Sequence, residues 1–100
     1  MPIYEATVDW REKGAVNPVQ DQGGCGSCWA FSAVASMESA WFIKNGVLPK
    51  LSEQQLTSCD TLGGCSGCDG GTKEYGFKYA KSTAIESEAD YPYKETTGTC

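Results

Sequence analysis

Asp21-Gln-Gly-Gly-Cys-Gly-Ser-Cys-Trp-Ala-Phe-Ser32 is the stretch on which the reading of this chain turns. Gly23, Gly24 and Gly26 permit a tight loop whose backbone can come close to a bound molecule. From Cys28 onward neither glycine nor proline occurs until Gly46, which predicts a helix from Cys28 to Asn45. A helix that begins at Cys28 sets the sulfur beside unpaired N–H groups and the positive end of the helix dipole. Such surroundings favour the thiolate, the attacking form of cysteine. Gln22, six residues earlier, carries an amide that can donate to the same oxyanion as the Cys28 backbone N–H. Removing one donor of this kind costs roughly 3–4 kcal/mol of transition-state stabilisation. The 100 residues contain no histidine, so the base that would activate Cys28 has to come from elsewhere.

Composition narrows the partners. Apolar residues make up 40% of the chain, enough for a core, although a domain of this size buries only about two-thirds of its unfolded surface. A net charge of −5 with eight Lys plus Arg lacks the basic footprint that nucleic acid requires, so no nucleic-acid partner is expected. No apolar run approaches about 18–20 residues, so no membrane span is expected. Met1-Pro-Ile-Tyr-Glu has neither the basic start nor the apolar run of a secretory signal. Six cysteines nevertheless suit an oxidising compartment, and the two observations agree if Met1 was added ahead of a mature start.

Three helices are predicted, with no internal repeat. In the first, Ala30, Val34, Met37 and Trp41 share one face and Phe31, Ala35 and Phe42 its neighbour, which makes the helix central. Ser32, Ser36 and Ser39 form a small-residue stripe suited to close packing, and Gly46 suits the C-cap. Ser52 followed by Gln55 reads as a capping box for a helix of about two turns. A third helix runs from about Thr72 to Lys81, with Tyr75, Phe77 and Tyr79 available for packing. After Ser82 the chain turns irregular, and Tyr91 and Tyr93 around Pro92 read as a rigid packed turn. Trp10 and Trp41 are expected in the core, and Glu88 and Asp90 at the surface. Glu38 reads as a solvated or internally bonded carboxylate, with pairing to a cation outside this chain as the alternative.

The cysteines admit more than one chemistry. Six allow fifteen pairings. Cys25-x-x-Cys28 and Cys65-x-x-Cys68 are also two knuckles that can offer four thiolates to a structural zinc ion. The 36 residues between them exceed the common spacing and include a long helix, which weakens that reading. A thioredoxin-like role for Cys25 and Cys28 is weaker still, because no βαβ unit surrounds them.

Cys25-Gly-Ser-Cys28-Trp29 resembles the local signature of papain and the cathepsins. Val8-Asp-Trp-Arg11, Gly14-Ala-Val-Asn-Pro-Val19, Leu51-Ser-Glu-Gln-Gln-Leu56, Cys68-Asp-Gly-Gly71 and Asp90-Tyr-Pro-Tyr93 follow in the order of a mature papain-like cysteine protease. The resemblance implies that residues 1–100 form the amino-terminal, helical lobe of the α+β papain-like fold, stapled by disulfides. The histidine and asparagine of that family lie about 130–150 residues beyond the cysteine, and 72 residues follow Cys28 here. They would belong to a second lobe that this chain lacks.

The same resemblance implies a set of roles. Cys28 is the nucleophile and Gln22 an oxyanion donor. Cys25 pairs with Cys68 and Cys59 with Cys100, while Cys65 either remains a thiol or replaces Cys68. Gly26 and Trp29 lie by the cleft, Gly70 and Gly71 pair with extended substrate backbone, and Thr72 and Lys73 approach the pocket for the second residue before the scissile bond. Lysine departs from the usual apolar residue there, so it favours a polar or acidic side chain or snorkels into solvent. The implied activity is peptide-bond hydrolysis through a thioester, without metal or organic cofactor, in a secreted or lysosomal/vacuolar setting. Expected partners are a peptide or protein substrate, a carboxy-terminal lobe supplying histidine and asparagine, and further copies of the chain. The competing expectation is a stand-alone binding or folding module.

Overall fold

The structure, a computed structural model, describes residues 9–61, 65–98 and 100. The readings of Met1 to Glu5 and of Val8 fall outside these residues. Helix α1 spans Cys28–Asn45, α2 spans Glu53–Cys59 and α3 spans Lys73–Ser82, with a short 3-10 turn at Gly67–Asp69 before α3. Among the described residues, the β-pairing is an isolated antiparallel bridge between Leu51 and Ser87.

Local chemistry sets the helix ends. Gly46 adopts φ 76° and donates its N–H to Phe42 O at 2.8 Å, the left-handed stop that glycine makes without steric cost. At α2 the Ser52 hydroxyl accepts from Gln55 N at 3.1 Å, half of the predicted capping box. The other half does not form. Ser52 N–H goes to Glu86 O at 2.9 Å, and the Gln55 side chain donates to Ala84 O (2.8 Å) and accepts from Glu86 N (2.7 Å). Residues 84–86 are thereby latched to α2.

The core lies where α1 meets the other two helices. Trp29, Ala30, Ala33 and Val34 of α1 pack with Leu56 of α2 and Cys65, and Met37, Leu51, Phe77, Tyr79 and Ile85 close the edges. Gly76 of α3 rests directly on Ala33, since a Cβ there would stand 2.8 Å from the Ala33 Cβ. Disulfides Cys25–Cys68 and Cys59–Cys100 staple the loops around this core, leaving Cys28 and Cys65 as thiols.

Three expectations need correction. Trp41 is 55% exposed and Trp10 45% exposed, so neither is core. The helical period places Trp41 on the apolar face, but there it borders an open groove of about 820 Å³ with Met37, Leu51, Ala80 and Ile85. Trp10 lies in a turn with the Lys13 ammonium over its ring at 5.6 Å. Glu88 is not simple surface charge: it is half-buried and accepts from Tyr93 N at 3.2 Å. Glu38 is satisfied internally, accepting from Leu51 N at 2.7 Å with Lys50 Nζ at 3.5 Å.

Candidate active site

The loop before α1 is built by its glycines. Asp21 Oδ1 accepts from Gly23 N at 2.8 Å, closing a turn in which Gly23 has φ 67°, and the Glu95 carboxyl occupies the space a side chain there would need. Gly26 N–H donates to Cys68 O at 2.8 Å, and any Cβ on Gly26 would collide with that carbonyl. Cys25–Cys68 closes the same junction covalently. Glycine and disulfide together press the loop against the turn that precedes α3.

Gln22 and Cys28 flank this loop. Gln22 Nε2 donates one proton to Cys25 O at 2.7 Å, which aims the amide and leaves its second proton for another acceptor. Ser27 is fully buried at the N-cap position but makes no capping bond. Its hydroxyl lies 2.7 Å from the Tyr93 hydroxyl, which in turn donates to Gln22 O at 2.6 Å. Because that bond uses the only hydroxyl proton of Tyr93, Ser27 is the donor to Tyr93. The orphan N–H groups of the first turn of α1 therefore lack the usual side-chain cap.

Cys28 opens α1 with its thiol exposed, in an open cavity of about 340 Å³ lined also by Trp29, Ser32, Gly71, Thr72, Lys73 and Glu74. Trp29 forms the floor, its Nε1 donating to Gly67 O at 3.1 Å. A Cβ on Gly71 would come within 2.8 Å of the indole and 2.9 Å of Cys65 Sγ, so glycine lets the chain cross directly over Trp29. Gly70 has φ 124°, and its backbone is already engaged, with O accepting from Ser66 N at 2.7 Å. Gly71 therefore borders the cavity while Gly70 turns the chain into it.

Lys73 is exposed and pairs with Glu74 Oε1 at 3.2 Å. Backbone N–H donation at the start of α3, then the Lys73 hydrogen bond, hold the Glu74 carboxyl below its usual range. Sequence reasoning passed over Glu74. An acid in the first turn of a helix was the available signal, but that signal reports helix stability and not a cavity wall.

The Cys25–Cys68 disulfide withdraws two of the four thiolates that the zinc reading needs. Cys65 is 4% exposed in the core, and among the described residues no group of three or more His, Cys, Asp or Glu side chains is placed to hold a metal. None of the described helices is long and apolar enough to cross a membrane.

Residues 4–100 match the family described as "Papain family cysteine protease". The chain is 53% identical over 95 residues to "Thiol protease SEN102" of Hemerocallis sp., covering 95% of this chain and 26% of that protein. It is 50% identical over 95 residues to "Procathepsin L" of Rattus norvegicus, covering 94% and 28% respectively. It thus spans about a quarter of the length of the relatives it matches. Among solved structures, the proform of the Amb a 11 cysteine protease, a ragweed pollen allergen, superposes with a TM-score of 0.87 at 53% identity over 93% of this chain and 29% of that one. The Carica candamarcensis cysteine protease CMS1MS2, in complex with E-64, gives 0.88 at 45% identity over 93% of this chain and 43% of that one.

Proposed function

Since the chain belongs to the papain family of cysteine proteases, we propose that it supplies the nucleophile and the oxyanion site for peptide-bond hydrolysis, and that it is inactive without a histidine-bearing lobe. The observation that carries this reading is the meeting, at the N-terminus of α1, of an exposed Cys28 thiol and the open edge of Gly71 around one cavity, with the Gln22 amide held on the loop that leads into Cys28 by its bond to Cys25 O. Substrate backbone lies along Gly71 in an extended conformation. Cys28 gives its thiol proton to the histidine of the other lobe and its sulfur attacks the peptide carbonyl, whose π electrons move to oxygen, and the Gln22 amide and Cys28 N–H hold that oxyanion. The electrons return, the C–N bond breaks, and the amine leaves with a proton from the histidine of the other lobe. Water then cleaves the thioester. At the neighbouring pocket, the Lys73–Glu74 pair offers a donor and an acceptor, suiting a polar substrate side chain. The two disulfides favour an oxidising compartment, secreted or lysosomal/vacuolar.

Turnover of a fluorogenic peptide tests this. The purified 100 residues should show none, because losing the general base and acid removes several orders of magnitude of rate. Adding a papain-family carboxy-terminal lobe should restore turnover, and Cys28→Ser should abolish it. Turnover by the chain alone that Cys28→Ser abolishes would refute the dependence on a second lobe.

A further inference from the structure

We propose that Tyr93 is a positioning residue that sets the geometry of the oxyanion site by tying the two ends of the nucleophile loop together. This rests on the reading that Gln22 and the Cys28 N–H hold the oxyanion. The Tyr93 hydroxyl donates to Gln22 O at 2.6 Å and accepts from the Ser27 hydroxyl at 2.7 Å. One oxygen atom therefore bridges the residue that carries the first donor and the residue just before the second. Residues 23–26 between them include three glycines, a backbone with little stiffness of its own.

The bridge is itself anchored. The Tyr93 ring meets Phe31 edge-on, with centroids 4.9 Å apart and planes at 85°. Its N–H donates to Glu88 Oε1, and next to it Lys94 N donates to Gln54 Oε1 at 2.8 Å while Gln54 Nε2 donates to Thr96 O at 2.8 Å. Gln54 is buried on α2, so the brace transmits the position of a helix to a glycine loop. A second consequence concerns Ser27. Serine at an N-cap ordinarily accepts from an N–H of the first turn. That hydroxyl goes to Tyr93 instead, and since the Ala30 and Phe31 N–H groups already donate to Ser27 O, the donors that it leaves uncapped for an incoming anion are those of Cys28 and Trp29.

The test uses the chain as it stands and two reagents for Cys28. Iodoacetamide forms an S–C bond with loss of iodide and reports the thiol alone. Acetyl-Ala-Ala-alaninal adds reversibly: the S–C bond forms, the carbonyl π electrons pass to oxygen, and that oxygen takes up the thiol proton through water, giving a hemithioacetal whose oxygen lies in the site. Its affinity is read from protection of Cys28 against iodoacetamide. Tyr93→Phe keeps the ring and deletes the hydroxyl, and should weaken the aldehyde about tenfold, the loss of one well-placed hydrogen bond. The iodoacetamide rate and the far-ultraviolet circular dichroism should stay unchanged. Ser27→Ala loses no capping bond and should weaken the aldehyde in the same direction, which decides the matter if Tyr93→Phe does not fold. Unchanged aldehyde affinity, or an aldehyde loss matched by an equal fall in alkylation, would overturn the proposal. Aldehyde protection lacking in the unaltered chain, with Cys28 still alkylated, would instead refute the underlying assignment of the oxyanion site and this inference with it.

Discussion

Cys28 and Cys65 are both free thiols, and their surroundings give them opposite behaviour. Cys28 is exposed at the start of α1, whereas Cys65 is buried in the core cluster with Trp29, beneath Gly71. A limiting pulse of iodoacetamide should label Cys28 at least about tenfold faster than Cys65, as mass mapping would show, because burial denies the reagent access. Label accumulating chiefly on Cys65 would mean that the core is not packed as described. The thiols also show what a sequence makes readable. Cys28 and Gln22 stood out because loop glycines, helix start and signature lie within a few positions of one another, whereas the pairing of Cys25 with Cys68, 43 residues apart, came only from the family resemblance. Tyr93 did not, because its contacts with Ser27 and Gln22 span 66 and 71 residues and nothing local marks a tyrosine as a brace.

At the scale of elements, the helices were legible wherever their end signals were local. Gly46 stops α1 and Ser52 caps α2 as the pattern says, although the Gln55 half of the capping box is spent on residues 84–86 instead. Trp41 was misread because periodicity reports which face is apolar and not whether a partner covers it. The contact between α1 and α3 depends on Gly76, where a side chain would meet Ala33 at once. Leucine is a better helix former than glycine by about 1 kcal/mol, yet forcing it into this contact costs about 1–3 kcal/mol or more. Gly76→Leu should therefore lower the urea midpoint, and an unchanged or higher midpoint would show that α3 moves aside freely.

The clip between α1, α2 and residues 84–91 is electrostatic. Lys50 Nζ stands 2.9 Å from Glu53, 3.5 Å from Glu38 and 3.9 Å from Glu88, so one ammonium serves three carboxyls. Burial opposes the Lys50 charge, but the Glu53 hydrogen bond and the three acidic neighbours outweigh it and raise its pKa. Burial pushes Glu53 from 4.5 up to about 7, against the pull of Lys50 and with help from Glu88. The Lys50 shift has the sign that a surplus of negative charge imposes, and the Glu53 shift the sign that burial of a carboxyl imposes. Between pH 4.5 and about 7 the folded chain keeps a proton on Glu53 that the unfolded chain has released. Stability from this group therefore falls as pH rises through that window, by up to about 1.4 kcal/mol per unit. Urea melts at pH 4.5 and 7.5 should show this fall, and Glu53→Gln should flatten it; an equal slope in the variant would assign the effect elsewhere.

For the whole molecule, the two cross-links span 43 and 41 residues and overlap between Cys59 and Cys68. Chain entropy assigns each about 4 kcal/mol, with the sum an upper bound because the loops share residues. Total stability of a domain this size is about 5–15 kcal/mol, so reduction should remove most of what holds the three helices together. Meanwhile Val19, Trp41, Ile43 and Val47 leave apolar surface in water, and such surface drives association when its area is large. The oxidised chain should thus be folded and self-associating in sedimentation, and should lose its helical circular dichroism when both disulfides are reduced. Unchanged helicity after complete reduction would show that the Trp29–Leu56 core suffices alone, and a strictly monomeric oxidised chain would show that the exposed apolar residues are too dispersed to form a patch.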